Sequence, residues 1–166
     1  STAAASTRAD VAWRHEGITR GLHGTLVTAG FFDVFAVVPA AGRMLTPSDA
    51  RQPMVVISDG VWKTAFASRP DVIGKTMWLD ESPFSIVGVA PAWLSAFQMD
   101  QPGSNFWLPI ESWQSVRNTT RLSTANLSWL HAVGRLTDGA SLSSARREAS
   151  AIAAAFDRDY AGRRTT

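Results

Sequence analysis

One continuous stretch, Met54 to Pro91, restricts this chain to a mixed fold in which a helix is held between strands. It opens on Met54–Ile57, an apolar run rich in β-branched residues that is entered from Pro53 and reads as a strand. Ser58 follows with an N-cap side chain, and Asp59 places a negative charge in the first helical turn. Trp62, Ala65 and Phe66 then fall at i, i+3 and i+4, one stripe of a short helix that Pro70 ends. Val72-Ile73-Gly74 leads into a strand over Lys75–Leu79, and Asp80-Glu81-Ser82-Pro83 forms a polar turn. A second strand, Phe84–Ala90, stops at Pro91. Trp62 is therefore expected to anchor the helix on the hairpin.

The flanks add elements on both sides. Ser1–Ala9 is small and polar and reads as a frayed lead-in. Val11–Arg14 and Leu22–Thr28 read as strands joined by a turn at Glu16-Gly17. Gly30–Phe35 reads as a short helical turn, and Ala40–Arg43 as a turn in which Gly42 supplies a positive φ. Ala92–Ser104 reads as a loop crowded with large apolar groups, and Asn105–Ile110 as a strand. Ser112–Leu127 is a polar excursion. Trp129–Leu136 is a strand with Trp129, His131, Val133 and Arg135 on one face. Ser141 caps a last helix whose Leu142, Ala145, Ala149, Ile152, Ala153 and Phe156 form an apolar stripe.

Catalytic signatures fail on specific residues. Gly74-Lys75-Thr76 ends like a phosphate-binding loop, but the motif needs a glycine where Arg69 stands, and the triplet enters a strand. Ile57-Ser58-Asp59-Gly60 has Val56 where a nucleophile elbow needs glycine. The 3 histidines, His15, His23 and His131, are scattered, and satisfied strand or surface histidines account for them better than a zinc site. Asp33, Asp49, Asp80, Glu81, Asp157 and Asp159 sit at turns or helix ends with no spacing that pairs them. Asn118 and Asn126 head chance glycosylation sequons. Trp62, Trp78 and Trp129 read as core-facing, which leaves little of the tryptophan set for a sugar platform.

With 45% hydrophobic residues among 166, the chain can bury a core as one domain. The formal charge is +2 with arginines dispersed, so nucleic acid is not an expected partner. The absence of cysteine removes disulfides and thiolate chemistry. No apolar run near twenty residues and no signal-peptide pattern are present.

Three motifs in order give the chain a likeness. The first is the central block, with Trp62, Phe66, Asp71-Val72-Ile73-Gly74-Lys75 and Phe84–Pro91, including Gly88. The second is Phe31-Phe32-Asp33-Val34-Phe35, then Pro39, Gly42-Arg43 and Thr46-Pro47-Ser48-Asp49. The third is Gly134-Arg135-Leu136, Gly139, Ser141-Leu142 and Ala145-Arg146. Together, over about residues 20–157, they resemble the MacB-like periplasmic core domain, the extracytoplasmic part of a class of ABC-transporter permeases. Phe32, Gly42, Arg43, Trp62, Phe66, Gly74, Gly88 and Pro91 carry the likeness as structural positions. The family's opening strand and helix have no counterpart ahead of Asp10, and its final strand beyond Tyr160 is missing.

The resemblance implies an α+β fold, a porter-like βα layer with an inserted strand-rich, sabre-like lobe. The lobe is expected near 40–126 and the porter-like part over about 10–39 and 127–160. It also implies a non-catalytic domain without cofactor or metal, on the extracytoplasmic (periplasmic) side and flanked by membrane helices. Its partners would be the rest of the permease with its cytoplasmic ATPase domain, a second permease copy and a periplasmic adaptor. Trp93, Phe97 and Met99 are the candidate partner-facing residues: their loop is displayed by the hairpin and holds residue types enriched at interface cores. The competing reading folds them back as a lid on the core. The rival function is a free-standing extracytoplasmic module that binds glycans or peptides.

Overall fold

The computed structural model describes residues 2–96, 103–112 and 130–159. The first two strands, β1 (Thr2–His15) and β2 (Ile18–Val27), form a long hairpin. Glu16 and Gly17 both have positive φ, 49° and 77°, the two-residue turn whose twist matches its strands. The helical turn α1 (Phe31–Val34), the short β3 (Ala41–Gly42), β4 (Met54–Ile57) and α2 (Asp59–Phe66) follow. Next come β5 (Thr76–Leu79), β6 (Ser82–Val89), α3 (Ala92–Ala96) and β7 (Phe106–Pro109). The last described elements are β8 (His131–Arg135) and α4 (Leu142–Asp159).

Six of these strands close on themselves. Around the ring β1 pairs β2, β2 pairs β7, β7 pairs β4, β4 pairs β6, β6 pairs β5, and β5 returns to β1. The β2–β7 and β4–β6 pairs are parallel, and the others antiparallel. Trp13 opposite Leu79 and Arg14 opposite Trp78 make the closing ladder. Asp80 extends it, because its N–H donates to the Ala12 carbonyl and its Oδ1 accepts from the Ala12 N–H, each at 2.8 Å. Two further strands lie outside the ring: β3 on β6, and β8 along Thr2–Ser6 of β1.

Strand alternation sorts side chains into two cores. Val11, Trp13, Leu26, Val55, Ile57, Met77, Leu79, Phe84, Ile86, Phe106 and Leu108 fill the barrel, and α2 adds Val61 to the same cluster. Val27, Val56 and Trp107 point outward and are covered by Phe31, Phe32 and Val34 of α1, together with Met44, Ala90 and Leu94. β4 and β7 are thus buried on both faces, which explains their unbroken apolar sequences Met54–Ile57 and Phe106–Pro109. Gly24 serves the inner core by absence: a Cβ there would lie 2.3 Å from the Phe106 ring.

The central block forms as its residues dictate. Ser58 Oγ accepts from the Val61 N–H at 3.1 Å, and Ala67, with φ 50°, ends α2. Trp62 is half-buried against the inner core, and its indole N–H donates to the Arg69 carbonyl at 2.8 Å. Asp80 and Glu81, with φ 46° and 66°, form the hairpin turn by themselves, so β6 starts at Ser82 rather than Phe84.

Four expectations need correction. Ser1–Ala9 is not a frayed lead-in: β1 starts at Thr2, with Ala4, Ser6 and Ala9 buried. Backbone pairing to β8 and β2 supplies the order that these small side chains do not signal. Trp78 does not face the core, because Met77 and Leu79 take the inward positions of β5. Trp78 is 38% exposed, with the Arg14 guanidinium 5.4 Å from its ring centroid. The loop reading of Ala92–Ser104 gives way at its start to α3. The stripe of α4 joins neither core, and Leu142, Ile152 and Phe156 are 57%, 53% and 49% exposed. Trp129 and the Ser112–Leu127 excursion, apart from Ser112 itself, lie outside the described residues.

Because Trp62 is half-buried, Trp62→Ala is expected to cost about 3 kcal/mol, the low end for losing a large core aromatic. Chemical denaturation of the two chains checks this.

Candidate functional site

The motif glycines mark a crossing of two backbones. β3 lies on β6 with Ala41 opposite Val89 and Gly42 opposite Gly88. The Arg43 N–H donates to the Val87 carbonyl at 2.9 Å, and the Ala40 N–H to the Val89 carbonyl at 2.8 Å. A Cβ on Gly88 would sit 1.9 Å from the Arg43 carbonyl oxygen, and one on Gly42 2.4 Å from that of Val87. Gly42 also has φ 66°. Next to this contact the β4–β6 register shifts, Val55 facing Ile86 and Val56 facing Gly88, so that Val87 is an extra residue. Such a bulge bends its strand and redirects the side chains that follow.

Arg43 continues from the crossing into a half-buried ion pair. Its guanidinium donates to both carboxylate oxygens of Asp49, at 2.6 and 2.9 Å. Asp49 also accepts from the Thr46 backbone N–H at 2.8 Å and the Thr46 hydroxyl at 2.9 Å. The side chain of Asp49 is 5% exposed, that of Arg43 49%. The bonds from Arg43 and then those from Thr46 outweigh burial and hold the Asp49 carboxyl at about 2. Asp49 was not among the residues that the sequence singled out as structural positions. Its signal was the Thr46-x-x-Asp49 spacing, a capping box about the turn Pro47–Asp49.

The remaining motif positions are framework. Phe32 is buried on α1, 6.4 Å from the Trp107 ring. Phe66 packs on Trp13 at 6.3 Å and on His15 at 5.1 Å. Gly74, with φ 86°, donates its N–H to the Ile86 carbonyl at 2.7 Å. The Pro91 carbonyl accepts from the Leu94 N–H at 3.0 Å and so starts α3.

Of the three partner-facing candidates, Trp93 is 48% exposed on α3, while its neighbour Leu94 is buried in the outer core at 3%. The short helix therefore divides the apolar segment: Leu94 folds inward as a lid would, and Trp93 faces outward. Phe97 and Met99 lie outside the described residues. Among the described residues no group of three metal-ligating side chains is gathered, and no helix is long and apolar enough to cross a membrane.

The sequence model of the MacB-like periplasmic core domain matches residues 2–152, and the chain belongs to that family. The match begins within β1, ahead of Asp10, where the motifs alone showed no counterpart. Two solved structures share the α+β fold. One is the periplasmic region of MacB from Actinobacillus actinomycetemcomitans, at 19% identity and a TM-score of 0.67 over 93% of this chain. The other is the extracellular domain of the noncanonic ABC-type transporter YknZ from Gram-positive bacteria, at 17% identity and 0.71 over 95%. The chain spans 66% of the first relative's length and 75% of the second's. No match exists among curated protein sequences.

Two outcomes test the crossing and its ion pair. Gly88→Ala should cost at least the roughly 3 kcal/mol that marks the upper range of overpacking, whereas Gly21→Ala, with nothing within 4 Å of its Cβ, should be tolerated. Asp49→Asn should cost roughly 1–3 kcal/mol at neutral pH. The depressed carboxyl stabilises the fold fully above its ordinary value of 3.8 and loses that contribution as pH falls toward about 2. Denaturation of parent and variant should therefore converge over that acid range.

Proposed function

We propose that the chain is the extracytoplasmic domain of a MacB-type ABC-transporter permease, one that performs no chemistry. Its part is to couple ATP hydrolysis on a cytoplasmic domain to export or extraction of a substrate, through conformational change and partner contact. The observation that carries this reading is the family match over residues 2–152. The barrel supports it: the interior is packed with side chains, so the domain can move as one body. In this reading the chain sits on the periplasmic side, anchored by membrane helices of the full-length permease. A second permease copy and an adaptor are its outer contacts.

Within this reading α3 is the contact point. Trp93 is held at the end of β6 by the buried Leu94 and by the Pro91 carbonyl, which fixes its direction before any partner arrives. Phe97 and Met99 extend the same segment in sequence. The rival, a free-standing glycan- or peptide-binding module, would use the exposed Trp78 and Trp93.

Trp93→Ser separates these readings. In the isolated chain the melting temperature should stay within a few degrees, because the side chain is half in solvent. In the intact permease the same substitution should reduce transport while leaving membrane insertion unchanged. Tight binding of an oligosaccharide or peptide by the isolated chain, abolished by Trp93→Ser, would favour the rival instead.

A further inference from the structure

One side-chain bond joins the second and third sequence motifs outside the barrel. At the end of α1 the Phe32 and Asp33 carbonyls accept from the Val37 and Ala36 N–H groups, at 3.0 and 3.1 Å. The Val34 carbonyl accepts from Nε of Arg135, at 2.8 Å and 101 residues away. A helix end leaves its last carbonyls to such donors, and a guanidinium is a strong and directional one. Val133 lies on the same face of β8 as Arg135 and packs against the outer core. The ladder that seats β8 has little other grip. β1 presents Thr2, Ala3, Ala4, Ala5 and Ser6 to it, and side chains this small make weak cross-strand pairs. Arg135 stands opposite Thr2, at the end of the ladder where the strands would begin to part.

We infer that Arg135 is a latch: its bond to Val34 decides whether β8 stays seated on β1, and its release is felt at α3. Once unlatched, β8 parts from the Thr2 end. α1 then loses the donor at its last carbonyl, and the outer core loses the Val133 side chain. Phe31, Phe32 and Val34 share that core with Leu94 of α3, and a close-packed core transmits a strain applied at one side. Coupling between two sites is reciprocal, so a partner that holds α3 in place also tightens the seat of β8. The linkage is a property of this chain alone; its use at Trp93 during transport rests on the function proposed above.

Amide hydrogen exchange of the 166-residue chain, read residue by residue by NMR, tests the latch. Arg135→Met keeps an unbranched stem and removes the donors. It should speed exchange at least ~10-fold, the scale of one charged hydrogen bond, at the β8 amides, at Val34 and at Leu94. The Ile86 N–H, which donates to the Lys75 carbonyl beside β5, should exchange as in the parent. A second measurement separates release of β8 from loss of the side chain itself. Ala5 and Ala132 stand opposite each other, at a separation that a disulfide can span, and the chain has no cysteine of its own. In the oxidised double variant Ala5→Cys, Ala132→Cys, adding Arg135→Met should no longer speed exchange at Leu94. Faster exchange confined to β8 and Val34 overturns the inference. So does a Leu94 effect that survives the disulfide, or an equal acceleration at Ile86, which would make Arg135 a general stabilising residue. If the linkage is found but the intact permease tolerates Trp93→Ser, the latch stands and the contact reading falls. If Trp93→Ser impairs transport and the chain shows no linkage, the latch falls and the contact reading stands.

Discussion

The structure depends on β1 being paired along both edges. One edge carries the hairpin to β2. The other carries β8 over Thr2–Ser6 and β5 at Trp13 and Arg14, with Asp80 joining the ladder at Ala12. Without the β1–β5 contact the six strands would be an open sheet with exposed backbone groups at both margins, and the side chains that fill the barrel would face water. Closure removes those edges and turns one face of each strand into an interior. It also makes residues far apart in sequence interdependent, since Gly24 must stay small for the Phe106 ring.

The second constraint acts outside the barrel, where β3 crosses β6 at van der Waals limits. Gly42 and Gly88 allow two backbones to touch, and the Arg43–Asp49 pair fixes the chain that leaves the crossing. Burying a carboxylate is costly unless its charge and lone pairs are met. Here one guanidinium and the two donors of Thr46 meet them. The motif linking Gly42-Arg43 to Thr46-Pro47-Ser48-Asp49 is therefore a single mechanical unit. It holds the outer core against β6, the strand that ends at Val89 and leads through Pro91 into α3.

Elements with strong local signals were legible in the sequence. Met54–Ile57, the Ser58 cap and the turn at Asp80-Glu81 each carry their own instruction in side-chain type and spacing. What local patterns did not contain was pairing across distance. Ala3-Ala4-Ala5-Ser6 has no strand signal, and only β2 and β8 make it one. Trp78 reads as core-facing in the sequence, yet β5 alternates about Met77 and Leu79, and closure of the barrel decides which face is inside. The α4 stripe was read correctly as a stripe, but periodicity names a face without naming what covers it. At the candidate surface, Trp93 and Leu94 are adjacent and similar in character, and only the turn of α3 separates one into solvent and the other into the core.

The shared strand has a mechanical corollary. Thr2 stands opposite Arg135, so β1 and β8 enter and leave the body side by side at one end of a short ladder. A pull on both along the strand axis is borne in shear by all the hydrogen bonds that tie β1 to β2, and these must yield together. A force that splays the two apart meets the Thr2–Arg135 pair alone and then each next pair in turn. The domain is consequently stiff to axial traction and compliant to lateral opening, a directional response set by antiparallel register rather than by any hinge.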